Sequence, residues 1–83
     1  MTLKVELVSP TARVWSGEAQ SVSTRTIEGD IGILTDHTPL FAVLVDGQVS
    51  IKGTDGTITE FGVSGGFLSV ANNRVSILTE SVN

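Results

Sequence analysis

Apolar and polar residues alternate with a period of two along much of the chain. Leu3, Val5 and Leu7 alternate with Lys4 and Glu6, and Val49 and Ile51 alternate with Gln48, Ser50 and Lys52. Ile58, and then Val75 and Ile77, sit in similar short alternations. A period of two puts every second side chain on one face of a strand. No apolar stripe at helical spacing stands against it. Valine, isoleucine and threonine are abundant, and their branched Cβ atoms suit a pleated surface better than a helix. Turn signals cut the pattern into short pieces: Ser9-Pro10, Glu28-Gly29-Asp30, Asp46-Gly47, Asp55-Gly56, Ser64-Gly65-Gly66 and Asn72-Asn73. Asp-Gly between apolar runs is a strong hairpin signal, because both residues tolerate the positive φ of a tight turn. The pattern predicts strands near 3–8, 12–16, 19–26, 31–34, 40–45, 48–52, 57–63, 67–71 and 74–79. Nine short strands at this spacing make an all-β flattened sandwich or barrel, mostly antiparallel. With no linker, repeat or low-complexity tract, residues 1–83 are expected to form one domain.

One strand breaks the alternation. Leu40-Phe41-Ala42-Val43-Leu44-Val45 is apolar on both faces. One set, Leu40, Ala42 and Leu44, can fill a core. The other set, Phe41, Val43 and Val45, then needs cover from the same chain or from a partner, since an exposed apolar patch marks an interaction site.

Composition narrows the function. The chain has 83 residues, 5 Lys and Arg against 9 Asp and Glu, and a formal net charge of −4. The five basic residues are scattered, so the basic patch that a nucleic-acid binder needs is missing. Cysteine is absent, which removes disulfides, thiolate metal sites and a cysteine nucleophile. The longest apolar run is Leu40 to Val45, far short of the roughly 20 residues of a membrane span. The N-terminus carries neither the plan of a secretory signal nor that of a transit peptide, so the chain is expected to be soluble and intracellular.

Candidate chemistry is sparse. Gly62-Val63-Ser64-Gly65-Gly66 matches the G-x-S-x-G nucleophile elbow, but that elbow leads from a strand into a helix. Here Phe67-Leu68-Ser69-Val70-Ala71 follows, which is strand-like, so a tight turn is the simpler reading. A serine hydrolase using Ser64 with His37, the single histidine, remains the enzymatic alternative. His37 is otherwise a loop histidine whose ring nitrogens bond nearby backbone or touch a partner. Glu28, Asp30 and Asp36 gather carboxylates around one segment and suit a basic partner or a solvated loop. No phosphate-cradling glycine loop is present, and no cofactor is expected. A stand-alone β-barrel binding module is a further alternative; that class displays aromatic platforms, whereas this chain has one Trp and three Phe.

Two stretches carry a resemblance. Glu28-Gly29-Asp30-Ile31-Gly32-Ile33-Leu34-Thr35-Asp36-His37-Thr38-Pro39-Leu40 resembles the E-G-x-[IL]-G-I-x-x-x-H-x-P-L signature of the epsilon subunit of the proton-translocating ATP synthase. Ser64-Gly65-Gly66-Phe67-Leu68-Ser69-Val70, followed by Asn73, Val75 and Leu78, is similar to its second signature. Val8-Ser9-Pro10 and Val14-Trp15-Ser16-Gly17 fit its start. Pro39 fixes its own φ and pushes Thr38 toward extended geometry, so the loop around His37 is stiff.

The resemblance implies a β-sandwich of about ten strands in the central stalk. It implies contact with the gamma subunit on one face and with the membrane-embedded c-subunit ring at one end. Such a subunit is non-catalytic and couples proton transport to ATP synthesis. Carried over by position, Glu28, Asp30 and His37 are expected on the ring side; the surplus apolar set Phe41, Val43 and Val45 is then expected to meet gamma. The expected place is the cytoplasmic side of a bacterial cell membrane, peripheral and without insertion, with the plastid thylakoid membrane as second choice. Two departures stand out. Phe41 occupies a position where leucine is common. The family's C-terminal helical hairpin has no counterpart in these residues, so inhibition and ATP binding are not carried over.

Overall fold

The structure is a computed structural model that describes residues 2–82. It contains β1 (Leu3–Ser9), β2 (Ala12–Thr26), β3 (Gly29–Ile33), β4 (Leu40–Leu44), β5 (Gly47–Gly53), β6 (Ile58–Val63), β7 (Gly66–Ala71) and β8 (Arg74–Leu78). No helix occurs among the described residues. The fold is the predicted all-β sandwich, with eight strands in place of nine. The expected strands at 12–16 and 19–26 are one continuous strand, β2, of 15 residues. Gly17 falls in the gap between the two expected strands. Its φ of 158° is close to fully extended, so the chain runs straight through. The glycine gives room instead of a turn: a Cβ there would lie 3.3 Å from the Trp15 ring, which shares its face of the strand.

β2 serves both layers because it bends. The register slips between Ala19 and Ser21 where β2 meets β5, and a slip of this kind bends and twists a strand. Before the slip β2 pairs with β1; after it, Val22–Thr26 pair with β3 on one side. One layer runs β4-β7-β8-β1 and ends on the first half of β2. The other runs β3, the second half of β2, β5 and β6. Thr26 opposite Leu44 joins the two near one end, flanked by bonds from Ile27 N to Val43 O and from Val45 N to Arg25 O. β1 and β8 are parallel; the other pairs are antiparallel.

The core follows the register. Val70, Val75 and Val5 form one row across β7, β8 and β1, and Leu68, Ile77 and Leu7 form the next. Val22, Ile33, Val49 and Ile51 face them from the other layer, all at most 1% exposed. Fully burying a side chain of this size stabilises the fold by roughly 1.5–3 kcal/mol. Thr24, Thr26 and Thr79 are buried polar residues, and no buried side-chain N or O among the described residues lacks a partner. Thr26 shows how: its Oγ1 donates to the Gly29 carbonyl at 3.0 Å and accepts from the Glu28 amide at 3.1 Å, closing the β2–β3 turn from inside.

Candidate interaction surfaces

The strand that is apolar on both faces divides as its alternation requires. Leu44 is buried, and Leu40 and Ala42 are partly buried against the core. Phe41 and Val43 point outward, 68% and 39% exposed. Val45 does not join them. It lies past the end of β4, half-buried, with its amide held by Arg25 O. Two residues that the single-strand pattern did not single out take its place. Val43 is opposite Phe67, and Phe67 is opposite Leu78, so the three form one outer row across β4, β7 and β8. Phe67 is 46% and Leu78 53% exposed. Phe41, one step diagonally from Phe67, stacks on it with ring centroids 5.5 Å apart and planes 28° apart. The signal was present in each strand: Phe67 alternates out of phase with Leu68 and Val70, and Leu78 with Ile77.

Gly66 holds this row in place. It starts β7 with φ +125°, and a Cβ built there would fall 1.9 Å from the Leu78 carbonyl oxygen. Only a bare glycine lets β7 come this close to the end of β8.

The acidic candidates do not form one surface. The β2–β3 turn holds Ile27 and Glu28, both exposed, at the end of the sandwich where Leu44 and Gly66 lie. β3 then carries the chain to the opposite end. There Asp36 and His37 meet the β7–β8 turn: the Asp36 amide donates to Asn73 Oδ1 at 2.6 Å, and Asn73 Nδ2 donates back to Asp36 Oδ1 at 3.3 Å. Glu28 and Asp30, at and beside the β2–β3 turn, therefore stand apart from His37. They are close in sequence, yet the antiparallel return of β3 separates them. His37 is half-buried, and its Nδ1 donates to the Thr38 carbonyl at 2.7 Å. A carbonyl only accepts, so the bond fixes the proton on Nδ1.

Asp30 is on the outer face of β3, opposite Arg25 on β2. Arg25 Nε donates to Asp30 Oδ1 at 2.9 Å, and this bond with the guanidinium charge holds the carboxyl below the ordinary aspartate range while raising the arginine. Asp55 is also lowered, by the Thr57 backbone amide that caps it at 2.9 Å. Neither shift is of a catalytic kind, since both carboxylates are solvated and bonded within their own hairpins. Ser64 is in the tight turn between β6 and β7, with its amide on Ser81 O and no helix behind it. It lies at the end of the sandwich away from His37, so the pair that a hydrolase would need is not assembled. Among the described residues, no group of three His, Cys, Asp or Glu is placed to hold a metal ion.

The whole of this architecture, residues 2–83, matches the family model of the ATP synthase delta/epsilon chain β-sandwich domain. The chain belongs to that family. The epsilon chain of Micrococcus luteus is 49% identical over 79 residues, spanning 95% of this chain and 87% of its own length. The epsilon chain of Streptomyces avermitilis is 49% identical over 78 residues, covering 94% of this chain but 63% of its own. The delta/epsilon fold extends to distant structures. A chain in the Euglena gracilis mitochondrial ATP synthase OSCP/F1/c-ring structure superposes with a TM-score of 0.93 at 23% identity, over 99% of this chain and 52% of that one. One in the Tetrahymena thermophila mitochondrial central stalk/c-ring structure reaches 0.85 at 19%, over 100% and 66%. At such identities the agreement is one of fold. No helix among the described residues of this delta/epsilon domain is long and apolar enough to cross a membrane.

Proposed function

We propose that the chain is a non-catalytic subunit of the ATP synthase rotor, linking the gamma subunit to the c-subunit ring and coupling proton transport to ATP synthesis. The observation that carries this reading is the outer row of Phe41, Val43, Phe67 and Leu78, bare on an otherwise well-packed sheet within a delta/epsilon-type domain. A contiguous exposed apolar patch fits a partner surface, with aromatic side chains as its natural anchors. In this reading the patch meets gamma. The β2–β3 turn, with Ile27 and Glu28 at its tip and Asp30 beside it, meets the polar loops of the ring. His37, at the other end, is not part of the ring contact. A closely packed β-sandwich strains little under load, which suits an element that passes torque between two neighbours. The place is the cytoplasmic side of a bacterial cell membrane, peripheral, with the thylakoid membrane as the lesser reading.

Copurification tests it. The chain, co-expressed with gamma and c subunits from the same source, is expected to bring both down. Phe41→Ser combined with Phe67→Ser is expected to lose gamma while the domain stays folded. A folded chain that retains neither subunit overturns the proposal.

A further inference from the structure

The five basic residues are scattered in the sequence, and folding regroups them. Two are spent on ion pairs within the chain: Arg13 lies 3.6 Å from Glu6, and Arg25 is bonded to Asp30. Lys4, Lys52 and Arg74 have no ion pair among the described residues. Lys52 stands opposite Ile58 of β6, away from the other two. Lys4 and Arg74, one from each end of the chain, are directly opposite each other on the parallel strands β1 and β8. Both are exposed. Their strand neighbours Leu3, Val5 and Val75 are buried, so the two side chains share the outer face of the layer with Phe41, Val43, Phe67 and Leu78.

Like charges directly opposite on adjacent strands repel, and the chain does not relieve this pair. Glu18 is opposite Lys4 on its other side, yet it accepts from Thr2 Oγ1 at 2.8 Å, and no ion pair links it to Lys4. Glu6, one row away, is beside Arg13. The backbone fixes the two cations in place: Lys4 N donates to Asn73 O at 2.8 Å, and the Asn73 side chain is itself held by Asp36. The outer face of this layer carries three bases, Lys4, Arg13 and Arg74, and two acids, Glu6 and Glu18, whereas the rest of the sequence holds two bases and seven acids. A chain that is acidic as a whole thus turns a surplus of positive charge to one face.

We propose that Lys4 and Arg74 receive carboxylates of the gamma-type partner, so that this face takes an acidic amphipathic segment, with apolar side chains on Phe41, Phe67 and Leu78 and Asp or Glu on the basic pair. The inference deepens the rotor reading above and rests on it. The pair lies at the end of the sandwich away from the β2–β3 turn, where in that reading the ring does not reach, whereas a partner on the apolar row adjoins it. Arg74 and Leu78 are the two ends of β8, about 13 Å apart at roughly 3.3 Å per residue, which sets the spacing of the two contacts. Between them the surface is low: the small side chains of Ser69 and Ser76 continue the row that Phe41 begins. A partner backbone crosses them without hindrance. Complementary charge then fixes register and speeds encounter, which an apolar row by itself does not.

The test is the affinity of the full chain for gamma across a range of salt. The parent should bind less tightly as salt rises from about 50 to about 500 mM, because exposed charges are screened. Lys4→Gln with Arg74→Gln should bind gamma about tenfold more weakly at low salt, the scale of two exposed charge contacts, and should lose most of the salt dependence. Its denaturant midpoint should hold or rise, since two facing like charges are gone. A fall in the midpoint alongside the affinity would mean that the pair serves the fold, and rejects the contact. If parent and variant bind gamma equally, the charge contact is wrong and the rotor reading stands. Tighter binding by the variant would mean a basic gamma surface and overturns the proposal. A folded parent that binds no gamma at any salt overturns both readings. Should the double variant not fold, the parent decides alone: an affinity unchanged across the salt range rejects the contact.

Discussion

The two layers present similar faces to each other and opposite faces to solvent. Inward, both offer branched aliphatics: Val5, Leu7, Leu68 and Ile77 from one, Val22, Ile33, Val49 and Ile51 from the other. Outward, β4, β7 and β8 show Phe41, Val43, Phe67 and Leu78, whereas β3, β2, β5 and β6 show Asp30, Ser23, Arg25, Gln48 and Glu60, with Ile58 the single large exposed apolar side chain among the described residues of those strands. Folding demands only the inner faces. The outer faces are free to differ, and the difference sorts them by solvent: the second is complete in water, and the first is not. Leaving two phenylalanines half-exposed adds little to the stability of the domain, which argues that their gain is realised elsewhere.

Substitutions should break this contrast in order of size. Gly66→Ala strikes the join between β7 and β8 under the apolar row. With a Cβ driven onto the Leu78 carbonyl, the domain should lose about 3 kcal/mol or more, read as a lower denaturant midpoint. Phe41→Ser with Phe67→Ser should do the reverse. Stability should change by less than about 1 kcal/mol, and affinity for gamma should fall by about 2 kcal/mol or more, measured by titration calorimetry. Equal losses in both measurements would mean that the row is part of the fold and not a contact. Glu28→Lys at the tip should leave the midpoint alone and slow association with the ring; the parent rate should itself fall as salt rises.

The smallest effect is on the polar face. The lowered Asp30 carboxyl is a depressed acid, so its stabilising contribution is complete above the ordinary aspartate value of 3.8 and is lost as pH falls through the lower folded value. Arg25→Gln should bring the Asp30 titration, followed by NMR, back up toward that value. Because both side chains are solvated, stability at neutral pH should barely move. A large loss would show that the polar face matters to the fold more than its exposure suggests.

Much of the fold was legible because a period of two has few other meanings. Leu3, Val5 and Leu7, and Val75 and Ile77, are buried as their alternation required. The miscount at β2 came from the gap left at 17–18, where Gly17 makes room for Trp15 and the strand continues. The surface was less legible. Phe41 and Val43 were visible as surplus, since their own strand could bury only one set. Phe67 and Leu78 were not, because each looks like ordinary strand content until register places it beside Val43. Glu28 and His37 seemed neighbours for a similar reason: nine positions along a chain say nothing of a strand that runs the length of the sandwich between them.

Alternation, β-branching and turn residues are local properties, and they were enough to determine that this chain forms strands, which side chains enter the core and where the chain reverses. Which outer residues become neighbours, which strand is left with an open edge and which loops share an end depend on pairing between distant segments. Only the folded sheet decided these, because one residue of register moves every side chain to the other face, and no short stretch of sequence carries the register of its partner.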